Sequence, residues 1–98
     1  MTVEETLVKT LLLTGPITLY EVSAVCESLR VALSEGKSLR IDLSDSGPWD
    51  LSGLQLLVSC VSSARNRDLE VRLAQVPEAC IQVAQRCGLS TWLLSVRE

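Results

Sequence analysis

Apolar residues along this chain switch between runs, strict alternation and a helical rhythm, and each switch marks an element. Thr6 to Thr14 carries a nearly continuous apolar stretch, Leu7-Val8 and Leu11-Leu12-Leu13, and reads as a strand closed by Gly15-Pro16. Val22, Val25, Cys26, Leu29, Ala32 and Leu33 then recur at i, i+3, i+4 and i+7, and Gly36 supplies the stop. Thr18 and Glu21 have capping-box spacing, so this helix is expected to open at Thr18. Leu39-Arg40-Ile41-Asp42-Leu43-Ser44 alternates apolar with polar and predicts a second strand.

After a loop, Asp45-Ser46-Gly47-Pro48, a second helix is predicted from Leu51 to about Asn66. Leu54, Leu57, Val58, Val61 and Ala64 form its main stripe. Leu56 and Cys60 lie outside that stripe, so the helix should pack on a sheet and also meet a neighbouring helix. Leu69 to Ala74 alternates again, and Pro77 followed by Glu78 opens a third helix through about Arg86, ended by Gly88. The tail from Leu89 to Glu98, with Trp92-Leu93-Leu94, is expected to form a short last element against the core. Trp92 is read as packing.

Strands alternating with helices at this spacing predict one α/β domain, a mixed, mostly parallel sheet covered by three to four helices. A chain of 98 residues has room for one core. With 47% apolar residues and only 3% aromatic, that core is built from Leu, Val, Ile and Ala.

Charge and chemistry remove several function classes. A net charge of -3 with scattered Lys and Arg does not make the basic footprint that nucleic acid requires. No run of about 18 apolar residues is present for membrane insertion, and the start Met1-Thr2-Val3-Glu4-Glu5 is acidic where a secretion signal is basic. A cytoplasmic protein is expected. Cys26, Cys60, Cys80 and Cys87 lack metal-ligand spacing and are expected to be buried, reduced thiols. The chain has no His, so the usual base for a Ser or Cys nucleophile is missing. Phosphate-binding and dinucleotide-binding glycine motifs are missing too, so neither a cofactor nor enzyme activity is expected.

The candidate site is the run Trp49-Asp50-Leu51-Ser52-Gly53-Leu54, between the second strand and the second helix. A helix mouth leaves backbone N–H groups aimed outward with the positive end of the dipole behind them, which suits an anion or a partner's acidic group. Asp50 is expected to cap the helix amides, and Asp42, read as a buried carboxylate inside its strand, to accept hydrogen bonds from the following loop. Trp49 fits two roles, a plug of the core or an anchor for a partner. Arg65 and Arg67 complement the negative pole at the far end of the same helix.

These residues also carry a family resemblance. Asp42-Leu43-Ser44, then Asp50, then Ser52-Gly53-Leu54 resembles the centre of the STAS domain of bacterial anti-sigma-factor antagonists. Gly15-Pro16-Ile17-Thr18-Leu19 resembles the family's approach to its first helix, Leu69-Glu70-Val71-Arg72-Leu73 its later strand, and Cys87-Gly88-Leu89 its Gly-Leu turn, so the likeness runs from Leu11 to Leu94. It implies docking of a signalling protein through residues 45–57, with Trp49, Asp50, Leu51, Ser52, Gly53 and Gln55 as contact residues.

The implied partner is an anti-sigma-factor kinase or, because Leu54-Gln55-Leu56-Leu57 resembles stand-alone STAS proteins of such systems, a chemotaxis-type protein. One position departs from the pattern. Kinase-switched members carry a phosphorylatable Ser or Thr directly after the Asp, and here that residue is Leu51. Ser52 is the remaining hydroxyl, either a phosphorylation candidate or simply a small residue at the helix mouth. Small STAS subunits of lipid-transport complexes, bound to the transporter ATPase, do not require that phosphorylation, and Leu51 strengthens this alternative.

Overall fold

The computed structural model describes residues 7–98. Its elements, in chain order, are β1 (Val8–Leu12), β2 (Gly15–Ile17), α1 (Val22–Ser34), β3 (Ser38–Asp42), β4 (Ser46–Trp49), α2 (Leu51–Arg65), β5 (Val71–Ala74), α3 (Glu78–Arg86) and α4 (Ser90–Val96). The α/β class, the parallel pairing and the helical cover agree with the pattern read from the sequence. Pairing divides into a three-stranded parallel sheet in the order β1-β3-β5 and a two-stranded parallel sheet of β2 and β4.

In the larger sheet, Leu11 is level with Ile41, and Ile41 with Leu73. Alternation turns Leu39, Ile41 and Leu43 inward and Arg40 and Asp42 to the other face, as a period of two requires. Helix α1 adds Leu29, Ala32 and Leu33 to that interior, and α2 adds Leu54, Leu57, Cys60, Val61 and Ala64. Burying a large apolar side chain is worth about 1.5–3 kcal/mol, so this shared interior is the main force holding the layers together.

Several surface ties complete the frame. Lys9 on β1 pairs with Glu35 at the end of α1. Arg67, just past α2, donates to the Leu33 carbonyl at the end of α1 (3.4 Å), so it serves the neighbouring helix rather than its own. The tail does form a helix, α4, and the Ser95 and Arg97 carbonyls at its end accept hydrogen bonds from Arg72 on β5 at 3.0 and 2.8 Å. Glu98 then donates its backbone N–H to Leu73 (2.8 Å) and pairs with Arg40 (2.7 Å), and Trp92 packs against the core. No helix among the described residues is long and apolar enough to cross a membrane.

Four expectations need correcting. Gly15-Pro16 does not end the first strand but belongs to β2, β1 stopping at Leu12; Thr6 lies outside the described residues. The segment expected as a loop at 45–48 contains most of β4, whose alternation is masked by Gly47 and Pro48. The first helix begins at Val22, not Thr18. The Glu21 carboxylate does reach back to the Thr18 N–H (3.0 Å), but the Thr18 hydroxyl donates to that same carboxylate, so the box closes one turn ahead of the helix. Finally, Cys60 and Cys80 are buried, but Cys26 and Cys87 are exposed, the first on the side of α1 that borders the groove with α2 and the second at the end of α3.

Candidate partner-docking site

Gly53 sets the position of the α2 mouth. It is buried against β2, and a Cβ placed on it would stand 2.2 Å from the Ile17 carbonyl oxygen and 2.8 Å from the Ile17 Cγ2. Only a residue with no side chain allows the first turn of α2 to lie this close to a neighbouring strand. Ile17 and Trp49 are register partners in the β2–β4 pair, so one small sheet carries both the wall behind Gly53 and the residue leading into the helix.

Asp50 joins this mouth to the loop before α1. Its Oδ1 accepts the Gly53 N–H at 3.1 Å, a side-chain cap on α2. Its Oδ2 accepts the Leu19 N–H at 2.9 Å, across 31 residues of sequence. Both carboxylate oxygens are therefore engaged within the fold. An anion approaching the mouth meets the charge of Asp50 as well as the helix amides, which weakens the anion-site expectation on electrostatic grounds.

Trp49 resolves into the first of its two roles. Its side chain is only 7% exposed, within the core cluster, and its Nε1–H donates to Ser46 Oγ at 3.0 Å. The Ser46 hydroxyl in turn donates to the Leu43 carbonyl at 2.7 Å. A ring held this way is a core plug and presents no face to a partner. The expected contact set thus divides: Trp49 and Gly53 are buried, Asp50 and Ser52 half-buried, and Leu51 and Gln55 exposed.

The outer residues do not stand alone. Leu51 is 41% exposed, and two residues that the apolar pattern did not single out, Leu19 and Tyr20, stand 66% and 91% exposed on the loop that Asp50 ties down. Two open grooves flank this surface. One, about 650 Å³, runs along α2 and the end of α3 past Leu51, Gln55, Val58 and Leu89. The other, about 300 Å³, lies toward α1 between Leu19, Val22, Ser52 and Leu56. A sequence signal for Leu19 and Tyr20 existed: two large apolar residues ahead of the α1 stripe have no place on its inner face.

Electrostatics distinguish this face from the outside of α1. From Leu51 through Ala64, α2 has no ionisable side chain other than Cys60, although Leu51, Gln55, Ser59, Ser62 and Ser63 are exposed. Helix α1 instead carries on its outside the Glu27–Arg30 ion pair (2.5 Å) that a solvated helix ordinarily has. Asp42, at the end of β3, is not buried as expected. It is half-exposed and accepts the Ser44 N–H at 2.9 Å, and that hydrogen bond holds its carboxyl below the usual carboxylate range. It stabilises the turn leading into β4.

Comparison with known proteins agrees with this architecture. The crystal structure of a sulfate transporter family protein from Wolinella succinogenes superposes with a TM-score of 0.71 at 18% identity, over 92% of this chain and 75% of that one. The crystal structure of Mglu superposes with a TM-score of 0.62 at 21% identity, over 72% of this chain and 18% of that one. At these identities the likeness is one of fold. The search of curated proteins by sequence found no match. The family model described as "Mlab, STAS domain" matches residues 1–95, and the chain belongs to the STAS domain family.

Proposed function

We propose that this domain is a non-catalytic docking module that binds a signalling protein through the outer face of the α2 mouth. Leu51, Ser52 and Gln55 form its centre, and Leu19 and Tyr20 its edge. Asp50 and Gly53 act as positioning residues, and Trp49 holds the face from inside the core. The observation that carries this reading is an exposed helix face without charge, bordered by three large exposed apolar side chains, Leu19, Tyr20 and Leu51. Apolar surface gathered in this way is a mark of interaction sites, and aromatic anchors such as Tyr20 commonly carry much of the binding energy. Among partners, the family resemblance favours an anti-sigma-factor kinase or a chemotaxis-type protein in a cytoplasmic setting.

A second reading rests on Leu51 alone. Leucine at the position where switched relatives carry a hydroxyl favours a partnership not broken by phosphorylation there, as a subunit bound to a lipid-transporter ATPase requires. Ser52 stands one residue further on, and a phosphate there would be drawn by the helix dipole and repelled by the Asp50 carboxylate. Incubating the protein with a candidate kinase and ATP, followed by intact-mass measurement, separates the readings. One added phosphate at Ser52 supports the switch, whereas stable co-purification with an ATPase and unchanged mass supports the subunit. Loss of every partner interaction on Leu51→Arg is expected in both cases, and undiminished binding by that variant would refute the docking face itself.

A further inference from the structure

We infer that Cys26 and Cys60 form a reversible dithiol–disulfide pair that fastens α1 to α2. This pairing is independent of which partner docks. Positions 26, 29 and 33 of α1 follow the i, i+3, i+7 rule and turn toward α2, and positions 56, 60 and 63 of α2 follow i, i+4, i+7 and turn back. The two stripes meet along one groove of about 160 Å³, and both thiols line it. The groove leaves room for sulfur to change rotamer, which a fully packed helix interface does not.

The two thiols are unequal in a way that orders the chemistry. Cys26 is exposed at the groove, so a peroxide can reach it from solvent. Cys60 is 5% exposed, so a solvent oxidant meets Cys26 first, and burial raises the Cys60 thiol above its ordinary value. In the first step the Cys26 thiolate attacks a hydroperoxide, the O–O bond breaks, and a sulfenic acid forms with loss of hydroxide. In the second, the Cys60 sulfur displaces the sulfenic hydroxyl, and its proton leaves with that hydroxyl as water. Overall two thiols and one hydrogen peroxide give one disulfide and two waters. Cys87, exposed at the end of α3, and Cys80, buried on that helix, line no part of the groove.

The test is to treat the reduced, folded protein with hydrogen peroxide, block remaining thiols with an alkylating reagent under denaturing conditions, and measure intact mass and peptides. The expected product is a monomer lighter by about 2 Da before alkylation. Two of its four cysteines take up the reagent, and a peptide pair joins Cys26 to Cys60. Cys26→Ser and Cys60→Ser should each abolish the link, and Cys87→Ser should leave it intact, with circular dichroism confirming that every variant folds. A Cys26 sulfenic or sulfinic product that persists beside an unmodified Cys60 would overturn the inference. So would a covalent dimer through Cys26 or Cys87 as the main product, or no change in the thiol count.

Discussion

Leu19 and Asp50, 31 residues apart, are joined by one hydrogen bond of 2.9 Å, from the backbone N–H of the first to the carboxylate of the second. Through that bond the loop carrying Leu19 and Tyr20 keeps a fixed relation to the first turn of α2. The carboxylate also caps the Gly53 amide, so one side chain holds both edges of the proposed face. Asp50→Ala is expected to lower stability by about 1–2 kcal/mol, the usual loss for a removed cap plus an unpaired donor. Asp50→Asn, which keeps an acceptor oxygen, should recover part of that. Chemical denaturation measures both, and equal losses in the two variants would mean that the hydrogen bonds carry no weight.

Gly53→Ala tests the close approach of α2 to β2. A methyl group cannot stand 2.2 Å from a backbone oxygen, so the helix must shift away from Ile17. Overpacking of this kind costs about 1–3 kcal/mol, and the backbone position of the clash places this site at the upper end. A melting temperature lower by roughly 8–20 °C is expected for a domain of this size. An unchanged melting curve would show that the helix mouth can move freely.

Trp49→Ala removes a core ring and is expected to destabilise by about 3–5 kcal/mol. Trp49→Phe keeps most of the buried ring and loses the hydrogen bond to Ser46, so about 1 kcal/mol is expected for its donor. Partner binding by folded Trp49→Phe should match wild type. A Trp49→Ala variant that melts normally but fails to bind would return Trp49 to the contact surface.

On the outer face the expectations are reversed. Tyr20→Ala should leave stability within about 0.5 kcal/mol of wild type because Tyr20 is 91% exposed, and Leu51→Arg, at a residue 41% exposed, should cost no more than about 1 kcal/mol. Binding should fall by roughly thirtyfold for Tyr20→Ala, the effect of losing about 2 kcal/mol at an aromatic anchor. Calorimetric titration against the purified partner reads it out.

Stability should also decline in alkali. Burial raises the thiols of Cys60 and Cys80 from 9.0 to about 11. A pKa raised by folding contributes its full stability below the unfolded value, and that contribution is lost as pH climbs from the unfolded value through the folded one. The window is therefore about pH 9 to 11. Melting temperatures across it should fall less steeply in Cys80→Ala than in wild type, and parallel slopes would mean that Cys80 contributes nothing to the decline.

The elements that the sequence made legible are those with long, regular apolar spacing. Helix α2, the strand around Ile41 and the third helix behind Pro77 can be placed from their own residues, because burial on one face imposes its period locally. β4 cannot, since its identity comes from pairing with β2 and its inner residue, Trp49, follows Gly47 and Pro48. The site is half legible for the same reason. The Asp50 cap is a local signal, but the inward turn of Trp49, the packing of Gly53 on Ile17 and the display of Leu19 and Tyr20 depend on contacts between segments distant in sequence. The exposure of Cys26 and Cys87 is hidden because apolar spacing does not distinguish the rim of a helical stripe from its centre.

Hydrogen exchange of the domain alone and in complex with its purified partner puts the docking face itself to the test. Slowed exchange is expected to be confined to residues 19–22 and 51–59, with the outer edge of β1 unchanged. Protection centred on β1 or on α4, with residues 51–59 exchanging as in the free domain, would show that the partner docks elsewhere.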